Sequence, residues 1–271
     1  MPMTELEKMR HSCAHVMATA VQEMFPEAQL GFGPPIEDGF YYDFDLPRAL
    51  TPDDLEEVER RMARVVKAAD PFIYEEIAGD AALSLFEEAG QTYKLEAVRD
   101  LVDKGETISI YRSGEFFDLC AGPHVTNTRQ VGTYKLLSVA GAYWKGDEKR
   151  PQLQRIYATS FSSKKELREF LDRREEALRR DHRTLARELD LFSINADVGA
   201  GLVLWHPKGG VLREILENFW REEHRRRGYD IVFTPHIGRK ELWDTSGHTR
   251  WYAVVYSLKW NWNIRPSSTS R

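Results

Sequence analysis

The sequence has two cysteines in 271 residues, which rules out the disulfide framework of a small secreted scaffold. No apolar run approaches the ~20 residues of a membrane-spanning helix. The start, MPMTELEK, has neither the basic stretch nor the apolar segment of a signal peptide. A cytoplasmic protein with no membrane partner is the expectation. A net charge of −5 at pH 7 argues against indiscriminate coating of nucleic acid and leaves room for a local basic groove. In contrast, the 42% hydrophobic and 30% charged residues suffice for one large or two ordinary domains with real cores.

The first recognisable element is a helix. Leu6, Met9, Cys13, Val16, Met17, Ala20 and Met24 recur at helical spacing, with Thr4 as N-cap and Pro26 as terminator. Cys13 lies on this apolar stripe, where a free thiol acts as a small hydrophobe. His11 and His15 sit one turn apart, and their mean direction lies about 180° from the stripe. The same face carries Ala18, Thr19 and Gln22, small or polar residues that suit the wall of a cleft. An HxxxH pair alone reads more often as surface or core histidines, so a second piece is needed.

Downstream, GFGPPIEDGFYYDFDL predicts a turn and a strand beginning near Phe40, and Thr51 to Asp54 caps a helix through about Ala69. A short helix follows near Ala81 to Ala89, then strands at Thr107 to Tyr111, Phe116 to Leu119, Gly132 to Val139 and Gln152 to Ala158. Helices mixed with largely antiparallel strands predict an α+β domain over 1–161. Residues 162–190 are densely charged, with Ser163 and Glu166 at capping-box spacing, and predict one long connecting helix. Acidic residues interleave with its arginines throughout, so it reads as a solvated helix with internal ion pairs rather than an RNA-tracking one. A second unit over 191–248 opens with a Gly-rich turn and strand, then a helix from about Gly210 to Arg226 and a strand ending at Pro235. Residues 249–271 are rich in Trp and Ser and continue no domain pattern, as a truncated or frame-shifted end would.

The partner of HSCAH is DLCAGPH at Asp118 to His124. Cys120 and His124 stand four apart around a Gly-Pro turn that can bring a thiol and an imidazole to face the helical pair. His11, His15, Cys120 and His124 form a three-His, one-Cys set. Such a set serves a tetrahedral zinc site, and it equally serves proton transfer and water activation near neutral pH. Spacing leaves both open.

HSCAHVM, GFYYDFD, YKL at Tyr93 to Leu95, DLCAGPHV, AGAYWKGD at Ala140 to Asp147 and LQRIYATSF together resemble the editing domain of bacterial threonyl-tRNA synthetases, the second additional domain or SAD. The charged helix is similar to that family's connector. GVLREILENFWREEHRRRGYDIVFTPHI resembles motif 1 of class II synthetases, the start of an α/β catalytic domain. The resemblance covers residues 9 to about 248.

The resemblance implies proofreading: hydrolysis of seryl-tRNA(Thr), the mischarged product. His11, His15, Lys94, Asp118, Cys120 and His124 match the family's catalytic pocket and Tyr42 a substrate-binding position. In this reading His11 and Lys94 orient the ribose end and a water, Asp118 holds the α-ammonium, and Cys120, His15 and His124 shape the pocket and relay protons. No cofactor is expected for editing. Related alanyl editing domains hold zinc with the same pattern, which keeps His11, His15, Cys120 and His124 as a possible zinc set. The arginine for ATP (with its Mg) and the catalytic zinc ligands of the synthetic domain are not found, so ATP-dependent attachment of threonine is not expected of this chain. The expected partners are tRNA(Thr) carrying serine and a second copy through the motif 1 segment. A tRNA-binding or zinc-stabilised module without activity, or an inactive gene fragment, is the alternative.

Overall fold

The computed structural model describes residues 3–199, 201–235 and 238–251, divided into two units at Arg180/Asp181. In the first unit, helix α1 (Glu5–Met24) opens with the capping box predicted from Thr4: the Thr4 side chain accepts from the Glu7 N–H, and Glu7 accepts from the Thr4 N–H. Strands β1 (Gln29–Leu30), β2 (Pro35–Ile36) and β3 (Gly39–Asp45) follow, then α2 (Pro52–Ala68), again with a capping box, from Thr51 and Asp54. Strand β4 (Ile73–Glu76), helices α3 (Gly79–Glu88) and α4 (Thr92–Lys104), and strands β5 (Ser109–Ser113), β6 (Phe116–Leu119), β7 (Thr133–Tyr143) and β8 (Gln152–Phe161) complete the α+β pattern, and α5 (Lys164–Arg179) leaves it. The main antiparallel sheet runs β1-β3-β8-β7 with β2 beside β3, and a second antiparallel sheet runs β4-β5-β6.

Period-two alternation in β3 decides what α1 meets. Phe40, Tyr42 and Phe44 join Cys13, Val16, Met17 and Ala20 in one core with Val58, Met62 and Ile156. Tyr41 and Asp43 take the other face, where Arg155 clasps Asp43 at 2.6 and 2.8 Å. The predicted apolar stripe of α1 is therefore buried from Met9 to Ala20, while Leu6 at its start is exposed. The middle of the helix is buried all round, since every residue from Met9 to Ala18 is buried. The face carrying the histidines is covered by the loop that follows β6.

Three expectations needed correction. Helix α4 and strand β4 were absent from the sequence reading; α4 has no side-chain N-cap bond to signal its start. The charged connector is two helices, because Asp181 caps a new one, α6 (His182–Glu188), by accepting from the Arg183 N–H. In the second unit, β9 (Phe192–Ile194) pairs with β10 (Val203–Trp205), followed by α7 (Pro207–Arg226), α8 (Lys240–Thr245) and α9 (His248–Trp251). The strand expected to end at Pro235 is irregular. Val232 and Phe233 there are 78% and 89% exposed, and a strand with no neighbour cannot pair its backbone groups. The tail from Thr249 lies outside the described residues beyond Trp251. Among the described residues no helix is long and apolar enough to cross a membrane.

Candidate active site

A buried helix and a half-exposed turn deliver the imidazole and thiol groups. On α1, His11 and His15 meet edge to face with ring centroids 5.4 Å apart. Opposite them, the residues after β6 are held to β5 by a pair of bonds: the Cys120 N–H donates to the Ser109 carbonyl at 3.0 Å, and the Ser109 hydroxyl donates to the Cys120 carbonyl at 2.9 Å. The chain then turns at Gly122, whose φ is +69° and where a Cβ would fall 2.4 Å from the Tyr111 Oη. Only glycine fits there. The turn returns His124 onto α1, where its ring stacks on His11 at 4.2 Å and on Phe72 at 4.9 Å.

Cys120 Sγ lies 3.4 Å from His11 Nε2, 3.3 Å from His124 Nε2 and 3.2 Å from the Gly122 N–H. Ser12, between the two helical histidines, fixes the state of His124. Its hydroxyl proton points to the Lys8 carbonyl at 2.8 Å, and its oxygen accepts from the Val125 N–H at 2.9 Å. The remaining contact, 3.0 Å to His124 Nδ1, then requires Nδ1 to be the donor. Nε2 is left with its lone pair facing Cys120.

Beside this cluster stands a buried charged pair. Lys94 from α4 and Asp118 from β6 are 1% and 2% exposed, with Nζ 2.5 Å from Asp118 Oδ1. Tyr42 donates to Asp118 Oδ2 at 2.5 Å. Lys94 also lies over the rings of Phe32 and Tyr42, at 5.0 and 5.6 Å. His15 Nε2, 3.7 Å from Asp118 Oδ2, joins the two clusters. All seven residues singled out in the sequence thus meet in one place.

Burial sets the protonation of the cluster. It lowers the His15 and His124 imidazoles well below their ordinary range, with the neighbouring histidines adding to the effect. It lowers His11 too, with the Pro123 backbone and the Asp118 charge pulling the other way. It pushes the Cys120 thiol up to about 12, helped by the Asp118 charge, and raises the Tyr42 phenol well above its usual value. At neutral pH the site is an uncharged imidazole and thiol group next to an ion pair. Such a group can hold a hydroxyl, position a water and pass a proton without separating charge in a buried space.

The same donors also suit a metal. Ligand atoms of His11, His15, Cys120 and His124 all lie within 4.8 Å of one another, and the 3.3–3.4 Å sulfur–nitrogen separations approach the edges of a zinc tetrahedron with bonds of about 2.0–2.3 Å. His15 Nδ1 has no hydrogen-bond partner.

Sequence reasoning missed the residues that hold this site rather than line it: Ser12, Phe32, Phe72 and Tyr111. Ser12 alone carried a signal, as a serine set inside a helix between the two histidines.

The chain is similar to known proteins over most of its length. Residues 108–157 match the family model described as the threonyl and alanyl tRNA synthetase second additional domain, which spans Asp118, Cys120 and His124. The chain is 57% identical over 251 residues to a threonine--tRNA ligase of Dehalococcoides mccartyi, covering 93% of this chain and 42% of that protein. It is 55% identical over 243 residues to the corresponding ligase of Pelobacter propionicus, covering 90% and 38%. With that of Acidithiobacillus ferrooxidans the figures are 50% over 248 residues, 92% and 38%. The chain spans about two-fifths of the length of these relatives.

Proposed function

We propose that this chain, a homologue of the threonine--tRNA ligases over nine-tenths of its length with a second additional domain, hydrolyses the ester that joins serine to the end of tRNA(Thr). The observation that carries the reading is the convergence of His11, His15, Cys120 and His124 on the Lys94–Asp118 pair.

The need for such a reaction is energetic. Serine lacks one methyl group of threonine, and a binding pocket gains only ~1–3 kcal/mol from a methylene-sized difference. A second, hydrolytic selection supplies the rest. In the reaction, water adds to the ester carbonyl, its proton passes to the imidazole and thiol group, the bond to the ribose oxygen breaks, and that oxygen takes a proton back. His11 and Lys94 orient the ribose end and the water. Asp118, whose oxygens retain lone pairs beyond those used by Lys94 and Tyr42, receives the α-ammonium. Tyr42 holds Asp118 in place. Cys120, His15 and His124 surround the serine hydroxymethyl group and relay the proton.

This chemistry needs no cofactor. The closeness of the four donors favours zinc as a second reading, in which His11, His15, Cys120 and His124 would be its ligands. Bound there, zinc would stabilise the domain and supply Lewis-acid polarisation. ATP, Mg2+ and the catalytic zinc serve the synthetic reaction of the longer family members, whose motifs do not occur in this stretch. The partners are tRNA(Thr) and, through the apolar Val211, Ile215, Phe219 and Trp220 on α7, each more than half exposed, a second copy. The setting is the cytoplasm.

The test is to offer the protein tRNA(Thr) charged with labelled serine or labelled threonine. Faster release of serine than in buffer, with threonine spared, supports the reading. Equal release of both at the spontaneous rate contradicts it.

A further inference from the structure

On the face of the main sheet away from α1 lies a cleft of about 560 Å3, between the strands and α5. That volume is in the range of ordinary ligand pockets. Ile36 and Phe170 give it apolar lining, Tyr157 and Asp38 contribute polar groups, and Arg173 and Arg174 line its α5 side. Phe170, Arg173, Arg174 and Ala177 share that side because residues three and four apart lie on one helix face.

The two arginines differ from Lys165, Arg179 and Arg180 of the same helix. Arg179 and Arg180 both pair with Glu176, and Lys165 with Glu169. These are the internal ion pairs expected of a solvated helix. Among the described residues, Arg173 and Arg174 have no carboxylate within ion-pair distance. The one acid of the cleft, Asp38, lies near Arg10, whose guanidinium is lowered by burial with the Asp38 charge opposing that shift. The cleft therefore presents two guanidinium groups without a carboxylate partner beside aromatic rings and the Asp38 carboxylate. Guanidinium binds phosphate oxygens in pairs, rings stack nucleobases, and a carboxylate accepts from a ribose 2′-hydroxyl.

We propose that this cleft is a docking site for the sugar-phosphate backbone of the tRNA, with Arg173 and Arg174 on phosphates and Tyr157 or Phe170 against a base. The proposal rests on the reading of the chain as a tRNA-processing protein. Its test is binding rather than hydrolysis, so the two can fail separately.

Affinity of the full chain for uncharged tRNA(Thr) is measured by fluorescence anisotropy between 50 and 200 mM salt, for the unmodified protein and for two double variants. Arg173→Ala with Arg174→Ala should weaken binding about tenfold or more and lower the salt slope of log K by about one to two, as expected for two lost phosphate contacts. Arg179→Ala with Arg180→Ala removes the same charge from the same helix and should change affinity less than threefold. Equal losses in both variants, or none in the first, overturn the proposal. Adenosine monophosphate separates the two sources of phosphate: micromolar binding that Arg173→Ala with Arg174→Ala abolishes would assign the cleft to a free nucleotide and overturn the docking of RNA. Millimolar or absent binding agrees with a backbone site.

Discussion

Lys94 Nζ and Asp118 Oδ1 lie 2.5 Å apart with both side chains buried, so each charge is tolerable only because the other is present. Removing one partner of a buried pair leaves an uncompensated charge and costs about 3–5 kcal/mol. Lys94→Met is expected to destabilise the first unit by that amount in urea unfolding. Lys94→Met with Asp118→Asn should recover a large part of it. A double variant no more stable than the single one would show that the pair is not the source of the loss.

Ser12 is the second target, since it anchors both the Val125 N–H and the His124 ring. Ser12→Ala orphans those donors and should cost about 1–3 kcal/mol. In the unmodified protein, nitrogen-15 shifts of His124 should report a proton on Nδ1 at pH 7. A proton on Nε2 instead would contradict the hydrogen-bond assignment.

Gly122 combines a positive φ with a Cβ position inside the Tyr111 side chain. Gly122→Ala is expected to displace the turn bearing Cys120 and His124, cutting seryl-tRNA(Thr) hydrolysis at least tenfold and stability by about 1–2 kcal/mol. Activity equal to that of the unmodified protein would mean that the turn can relax without moving the site.

Glu96 supplies a pH signature away from the site. Burial alone would raise its carboxyl, but bonds from Lys145, Arg150 and the Trp144 indole outweigh burial and hold it at about 2, against an ordinary 4.5. A group whose folded pKa is depressed stabilises the fold fully above its unfolded value and loses that contribution as pH falls through the folded one. Glu96→Gln should therefore lower the melting temperature at pH 7, with the difference from the unmodified protein shrinking between pH 4.5 and pH 2. A constant difference across that range would rule out this linkage.

The parts of this molecule legible in its sequence are those with local causes. Thr4, Thr51 and Ser163 announce helices through capping boxes that all form, and the strands flanking the site are set by alternation. The site residues were found because their blocks resemble a known family; the spacing of His11 and His15 alone left them on an open face. What was missed depends on tertiary contacts. Helix α4 starts without a side-chain cap, so Lys94 was named without the element that carries it. The connector breaks at Asp181, which reads as one more acid in a charged run until its side chain caps α6. The segment before Pro235 has β-rich composition, yet pairing with another strand, which composition cannot report, decides whether it forms one.

The most direct measurement is the rate of seryl-tRNA(Thr) hydrolysis in His11→Ala and Cys120→Ala, with folding followed by circular dichroism. Both variants should stay folded and lose tens-fold or more in rate, because lost proton management costs about 10²–10⁴. The control is Cys13→Ser, which sets a hydroxyl in the fully buried core. It should cost about 1–3 kcal/mol of stability and leave the rate of the folded protein nearly unchanged. If His11→Ala and Cys120→Ala remain folded and release serine at the unmodified rate, the facing His and Cys motifs are structural and the account of this site as a hydrolytic centre is contradicted.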